Sequence, residues 1–308
     1  VEFTVDNNAP TLSALSVTSD PCVGDGDVVT IVFNAIDLGC AAFDHTNITV
    51  NVVGQGAIGG AIAHVSTVGN TYTFTYTVAN GDADGDVQVS IDAVDDEGNN
   101  ATTLNPAGVE FVIDNTHPVV NNWNYLSSTC VNGGTTVQFS FNATDIACGT
   151  FDENDIAVAV TTAGAVATVN SAVLSNVTGN TYTYDLLIDA TDADGDADVV
   201  ITATDDAGNA TVLDAAPVDF VIDNTKPVYD NFAITSDQCL TDGEEFTFTF
   251  DVTESGCGTF AHGTHLVVTT DPATTNAPVY VSNAGMTYTY KVVIAALDDP
   301  GTYNILVN

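Results

Sequence analysis

The 308-residue chain has almost no positive charge. Two lysines, Lys226 and Lys291, and no arginine stand against 41 acidic residues, for a formal net charge of −39. Nearly every carboxylate therefore lacks a basic partner within the chain, and repulsion on that scale calls for cations. Such a surface repels phosphate backbones and anionic lipid, which argues against nucleic-acid binding and peripheral membrane attachment. No apolar run approaches the roughly 18 residues of a membrane span, so no direct membrane insertion is expected in this segment. The first residues lack the basic and apolar regions of a signal peptide. There is no CxxC spacing and no stretch with helical periodicity and caps. Serines, histidines and acids are too scattered to suggest a catalytic constellation, and the chain is not expected to be an enzyme.

What is present is a repeat. VEFTVDNNAP at 1–10 returns as VEFVIDNTHP at 109–118 and VDFVIDNTKP at 218–227. Cys22, Cys130 and Cys239 step by the same 108 and 109 residues, as do Cys40, Cys148 and Cys257. NTYTFTYTV at 70 recurs as NTYTYDLLI at 180 and MTYTYKVVI at 286. A period of this length carried by several landmarks marks tandem domains, each large enough to bury a core.

Within each unit apolar and polar residues alternate with the period of a strand. Val29, Ile31, Phe33 and Ala35 form one such series, Val137, Phe139, Phe141 and Ala143 its counterpart, and Tyr72, Phe74, Tyr76 and Val78 another. Gly, Asn, Asp and Pro clusters punctuate these runs. About seven short strands per unit give an all-β fold of tandem immunoglobulin-like β-sandwich domains in an elongated array. Trp123 and the tyrosines read as core or junction packing.

DGDADVVITATDDAGNA at 194, followed by VDFVIDNTKP at 218, resembles the closing half of bacterial Ig-like (Big) repeats: a turn of the T-A-x-D-x-A-G-N type, a last strand and a D-x-T-x-P linker. That resemblance covers all three units. It implies tandem stalk domains of large extracellular surface proteins and adhesins, often made rigid by calcium. The paired cysteines and scarcity of basic residues depart from the family pattern.

On this reading residues 1–9 are the last strand of a preceding or neighbouring domain. Residues 10–117 and 118–226 are the first and second repeats, and 227–308 a third that is incomplete, its closing strand missing. Two explanations compete: a window of a longer protein, or a subunit whose first residues complete the third domain of a neighbour by donor-strand assembly.

Six cysteines at repeat-locked positions indicate disulfides and an oxidising, extracellular setting. Geometry argues against the easy local pairing, Cys22 with Cys40, which stays as the alternative. One strand, 28–36, lies between them and spans roughly 30 Å, whereas a disulfide needs α-carbons within about 7 Å. Sandwich topology sends the two cysteines of a unit to opposite ends. Inter-domain bridges Cys22–Cys148 and Cys130–Cys257 are therefore expected, with Cys40 and Cys239 left for flanking domains.

The same topology sorts the acids. Asp82, Asp84 and Asp86 in GDADGD, and Asp192, Asp194 and Asp196 in TDADGD, are expected at the bottom of their domains with linker residues Asp114 and Asp223. Across the junction stand Asp95, Asp96, Asp205 and Asp206 of the DDxGN turns, with Asp152 and Glu153 near the latter pair. Calcium takes six to eight oxygens, and a D-x-D-G-D spacing can aim alternate carboxylates at one ion. Calcium is thus the expected cofactor, and solvated turn acids of a halophilic or marine protein are the alternative. LDDPG at 297 departs from the loop pattern, so that site should be weak or absent in the third unit.

Sequons at Asn47, Asn100, Asn142, Asn176 and Asn209 are candidate glycosylation sites. His262 and His265, an H-x-x-H found in one unit, read as a polar loop. The leading function is a structural stalk or filament segment on a cell surface, whose partners are neighbouring copies or flanking repeats. A carbohydrate- or protein-binding adhesin module and an accessory domain of a secreted enzyme are the other classes.

Overall fold

A computed structural model describes residues 2–39, 42–105, 108, 110–146, 148–162, 166–214, 219–257 and 260–308. The strands group into three β-sandwiches, each with its own apolar core. In the first, one sheet contains β1 (Thr11–Thr18), β3 (Val28–Ile36), β6 (Thr71–Thr77) and β5 (Ala61–Val68), in the order β1-β3-β6-β5. The facing sheet runs β2-β8-β7-β4, from β2 (Cys22–Val23), β8 (Phe111–Ile113), β7 (Gly85–Ala93) and β4 (Ile48–Val53). The short β2 pairs in parallel with β8, Cys22 opposite Val112, while β7 and β8 are antiparallel. This is the arrangement of an immunoglobulin-like sandwich.

Alternation produces the core directly. Val29, Ile31 and Phe33 are fully buried, as are Val87, Val89 and Ile91 from the other sheet, while Val28 at the end of its strand is exposed. Side chains of successive strand residues point to opposite faces, so only one register buries the apolar set. Phe33 stacks across the sheet on Phe74, and Phe141 on Tyr184 and Phe250 on Tyr290 repeat the motif in the next two sandwiches.

The second sandwich follows the same plan. Its first sheet is β14 (Val173–Thr178), β15 (Thr181–Leu187), β11 (Thr136–Thr144) and β9 (Val119–Tyr125). Its second runs β10-β18-β16-β12-β13, from β10 (Cys130–Val131), β18 (Phe220–Ile222), β16 (Gly195–Thr204), β12 (Ile156–Thr162) and β13 (Val166–Ala167), with β17 (Ala210–Asp214) also paired to β16. Trp123 packs on Phe139 at 5.1 Å, at the edge of this core.

The third sandwich has a complete first sheet of β19 (Val228–Ile234), β20 (Glu245–Thr253), β23 (Thr287–Val293) and β22 (Val279–Ala284). Its second sheet holds, among the described residues, β21 (Val268–Asp271) and β24 (Asn304–Val307), which pair antiparallel. The sequence carries little helix signal, and the one α-helix among the described residues is the single turn His262–His265, where His262 stacks on Tyr280.

A bulge in the first strand of each sandwich requires a left-handed residue. Asn122 and Asn231 fill it at φ 55° and 52°, and Ala14 at φ 56°. Asparagine tolerates that region better than alanine.

Candidate functional site at the junctions

Each linker is held first by the sandwich it leaves. Asn115 Nδ2 donates to the carbonyls of Ala79 (3.2 Å) and Asp82 (3.0 Å), and Asp84 accepts from the Asn115 backbone N–H and from Thr116 Oγ1. Asn224 repeats this with Asp189 and Asp192, and Asp194 with Asn224 and Thr225. The acidic loops thus grip the linker through hydrogen bonds.

The next sandwich then closes on the linker. Asn209 Nδ2 donates to the Asp114 carbonyl at 2.9 Å and to Asp205 Oδ2 at 2.9 Å, and the Cys148 N–H donates to Asp114 Oδ2 at 3.2 Å. Gly24 lies so near the turn of the second sandwich that a Cβ there would stand 2.9 Å from the Ala207 carbonyl oxygen. Cys22 is bonded to Cys148 and Cys130 to Cys257, with α-carbons 5.9 Å and 5.6 Å apart. Both bridges cross a junction. Cys239 is exposed with a free thiol, and Cys40 lies outside the described residues.

Carboxylates converge at the same place. Asp114, Asp145 and Asp205 each present an oxygen within 4.8 Å of the others, as do Asp6, Asp95 and Glu97 where residues 2–9 meet the first sandwich. Asp114 is fully buried. Burial pushes its carboxyl above the ordinary carboxylate range; the N–H groups of Cys148 and Thr116 pull it down, and negative Asp145 and Asp205 push it up again. Three acids that share a partly buried site favour a bound cation or a shared proton. The group Asp223, Cys130 and Cys257 offers no such set, because its sulfurs are joined in a disulfide.

The other acids singled out from the sequence have separate tasks. Asp82 is buried, accepting from the Gly59, Gly60 and Ala79 N–H groups and from the Tyr76 hydroxyl, and Asp192 accepts from Asp189 and Val169. These oxygens face their own sandwich. Asp96 accepts from Asn47 and Asp206 from the Thr150 N–H; Asp86 accepts from Gln55, and Asp196 is exposed. Asp152 caps the single turn Glu153–Asp155. Asp223 lies against Gly256 of the third sandwich, where a Cβ would collide with its carboxylate. Asp298 of LDDPG accepts from Ala295 and Thr275, so it does the work of Asp82.

Asp145 is the junction residue that sequence reasoning missed. The signal was there, since Asp37 stands 108 residues earlier in the matching DLGC and DIAC stretches. Of the sequons, Asn209 spends at the junction the very nitrogen that a glycan would occupy. Asn47 likewise donates to Asp96, and Asn176 to Thr178. Asn142 accepts from Thr181, and Asn100 donates to the Gly98 carbonyl.

No family profile and no curated protein sequence matches the chain. Similar solved structures include FdeC, a broadly conserved Escherichia coli adhesin, at 13% identity over 99% of this chain and 94% of that one, with a TM-score of 0.36. The titin I-band fragment I67-I69 is similar at 13% identity, over 98% and 92%, with a TM-score of 0.37. A tetra-tandem repeat from the extending region of a large adhesion protein is similar at 18% identity, over 97% and 65%, with a TM-score of 0.28.

Proposed function

We propose that the chain is a structural stalk or filament segment of an extracellular cell-surface protein, with junctions stiffened by disulfides and by calcium. The observation that carries this reading is the pair of bridges Cys22–Cys148 and Cys130–Cys257, each of which ties neighbouring sandwiches together. Domains meant to swing need a free linker, and a covalent clamp beside the linker removes that freedom. Disulfides of this kind belong to an oxidising compartment outside the cytosol.

Calcium suits the donor set at the first junction. Asp114 comes from the linker, Asp145 and Asp205 from the second sandwich, so an ion held among them binds both sides of the joint. Hard carboxylate oxygens with nearby carbonyls favour calcium over softer metals. A net charge of −39 adds a general attraction for divalent cations.

The test is thermal unfolding of the unreduced protein with calcium and then with a chelator, with bound metal measured alongside. A chelator-induced fall in Tm together with about one ion bound at the Asp114 junction supports the ion-stiffened stalk, since an ion that binds only the folded state stabilises it by mass action. An unchanged Tm and no bound metal would remove calcium and leave the disulfides alone to stiffen the array.

A further inference from the structure

We propose that His45, His64 and Asp44 of the first sandwich form a binding site for a divalent transition ion of the zinc type. The two imidazoles come from different elements, the single turn His45–Asn47 and β5, and their rings lie parallel with centroids 4.2 Å apart. The ring of His64 also meets buried Phe74 edge to face at 5.2 Å, and its Nε2 shares a hydrogen bond with Thr67 Oγ1 at 2.9 Å. An N–H donated from Nε2 to Thr67 leaves the Nδ1 lone pair for an ion, and a second hydrogen bond of this kind is how ligating histidines are usually oriented. An ion lies in the plane of each ring that binds it, so the rings must tilt out of their stack. His45 is exposed and has room to turn.

Asp44 completes the set. Its side chain caps the turn that carries His45, with Oδ1 accepting from the Thr46 N–H at 2.7 Å and from the Thr46 hydroxyl at 2.6 Å. The Thr46 hydroxyl and N–H hold the carboxyl below its ordinary range; desolvation opposes them, and His45 and His64 add attraction, so both imidazoles act on this carboxylate. Two imidazoles and one carboxylate, with water in the remaining position, make an open four-coordinate set of the kind zinc accepts. Imidazole nitrogen selects such ions over calcium, which takes oxygen ligands. The net charge of −39 gathers divalent cations of either kind at the surface.

The repeat provides two internal controls. His45, Glu153 and His262 each open the single turn of their sandwich. His64, Leu174 and Tyr280 are equivalent in register, opposite Phe74, Tyr184 and Tyr290 of the neighbouring strand. The first unit alone of the three sets an imidazole at both positions. The second keeps the capping aspartate, Asp152, but pairs Glu153 with Leu174. In the third, His262 stacks on Tyr280 at 3.6 Å, Ala261 replaces the aspartate, and His265 Nδ1 accepts from the Ala261 N–H. The same fold therefore carries the ligand set once and lacks it twice.

The site uses nitrogen ligands on one sandwich, so it stands or falls separately from calcium at the junctions. The experiment is calorimetric titration of the 308-residue chain with zinc in a large excess of calcium, which occupies sites made of oxygen alone, and with thiols alkylated because Cys239 is free. The wild type should take up about one zinc ion. The double variant His45→Gln, His64→Leu should bind it about a hundredfold or more weakly, at least the loss seen when partners of metal ligands are removed. His64→Leu installs the residue of the second sandwich, and Tm measured without zinc checks that the variant folds as the wild type does. His262→Gln, His265→Gln should leave zinc binding unchanged. Glu153→His, Leu174→His, placed beside Asp152, should raise the uptake to about two ions. A wild type that takes up no zinc in calcium, a first variant that binds as tightly as the wild type, or a graft that adds no second ion would overturn the proposal.

Discussion

Asn209 donates its side-chain nitrogen to the backbone oxygen of Asp114, 95 residues away and in the adjoining linker, at 2.9 Å. One amide therefore joins the turn of one sandwich to the exit of another, and Asn99 makes a longer version of the contact with the Asp6 carbonyl. Replacing Asn209 by Ala leaves that oxygen without its donor. The expected cost is about 1–2 kcal/mol of stability, read from denaturant unfolding of the oxidised protein.

The sign of the Asp114→Asn effect depends on the ion. Without metal the substitution relieves repulsion from Asp145 and Asp205 in a buried site, and Tm should hold or rise. With calcium it removes a ligand, and the calcium-induced rise in Tm should shrink. Parallel melts in chelator and in calcium decide this; an identical response in both would deny the ion a place at this junction.

Asp82→Ala should behave differently. Its oxygens serve Gly59, Gly60, Ala79 and Tyr76 inside the first sandwich. The loss is expected to reach about 2–3 kcal/mol, because buried donors are left unpaired, and to be equal in calcium and chelator. A calcium-dependent loss would return Asp82 to the set of metal ligands.

Acid should stabilise the second sandwich over a defined range. Burial raises the carboxyl of Asp219 to about 6, the Val199 N–H opposes this, and Asp198 and Asp214 add repulsion. The folded state thus holds this proton more tightly than the unfolded chain, whose carboxylates titrate near about 4. Stability from this group rises as pH falls from about 6 toward about 4. In Asp219→Asn that increment should vanish, as followed by urea unfolding at several pH values.

Ala14→Asn should stabilise the first sandwich by about 0.5–1 kcal/mol, since it gives the bulge the residue found at 122 and 231. A drop in Tm would mean that the side chain meets an obstacle at this site.

The sandwiches were legible because Val29, Ile31 and Phe33 must share one face of a strand whatever their surroundings, and the repeat supplied that evidence three times. The bridges were legible for a geometric reason: a nine-residue strand follows Cys22, too long for a local bridge across it, and the structure joins Cys22 to Cys148. The acids were harder. Asp82 and Asp114 look alike in sequence, but one turns inward to cap its own loop while the other turns toward the next sandwich. That difference depends on which backbone N–H groups are left over after the loop has closed, a matter of tertiary geometry. Asp145 escaped notice because no other acid lies beside it in the sequence.

The placement of the two bridges determines how tension would pass along the array. Force entering the second sandwich through Cys148 leaves it through Cys130, so the covalent load path is the short segment between them, which contains β11. Were that sandwich to unfold under load, the eighteen-residue step from 130 to 148 could stretch to no more than about 60 Å. The rest of the sandwich hangs off this path as slack. An unbridged domain releases its whole contour when it gives way, whereas the second sandwich, bridged to both of its neighbours, would lengthen only by the stretch of this one segment.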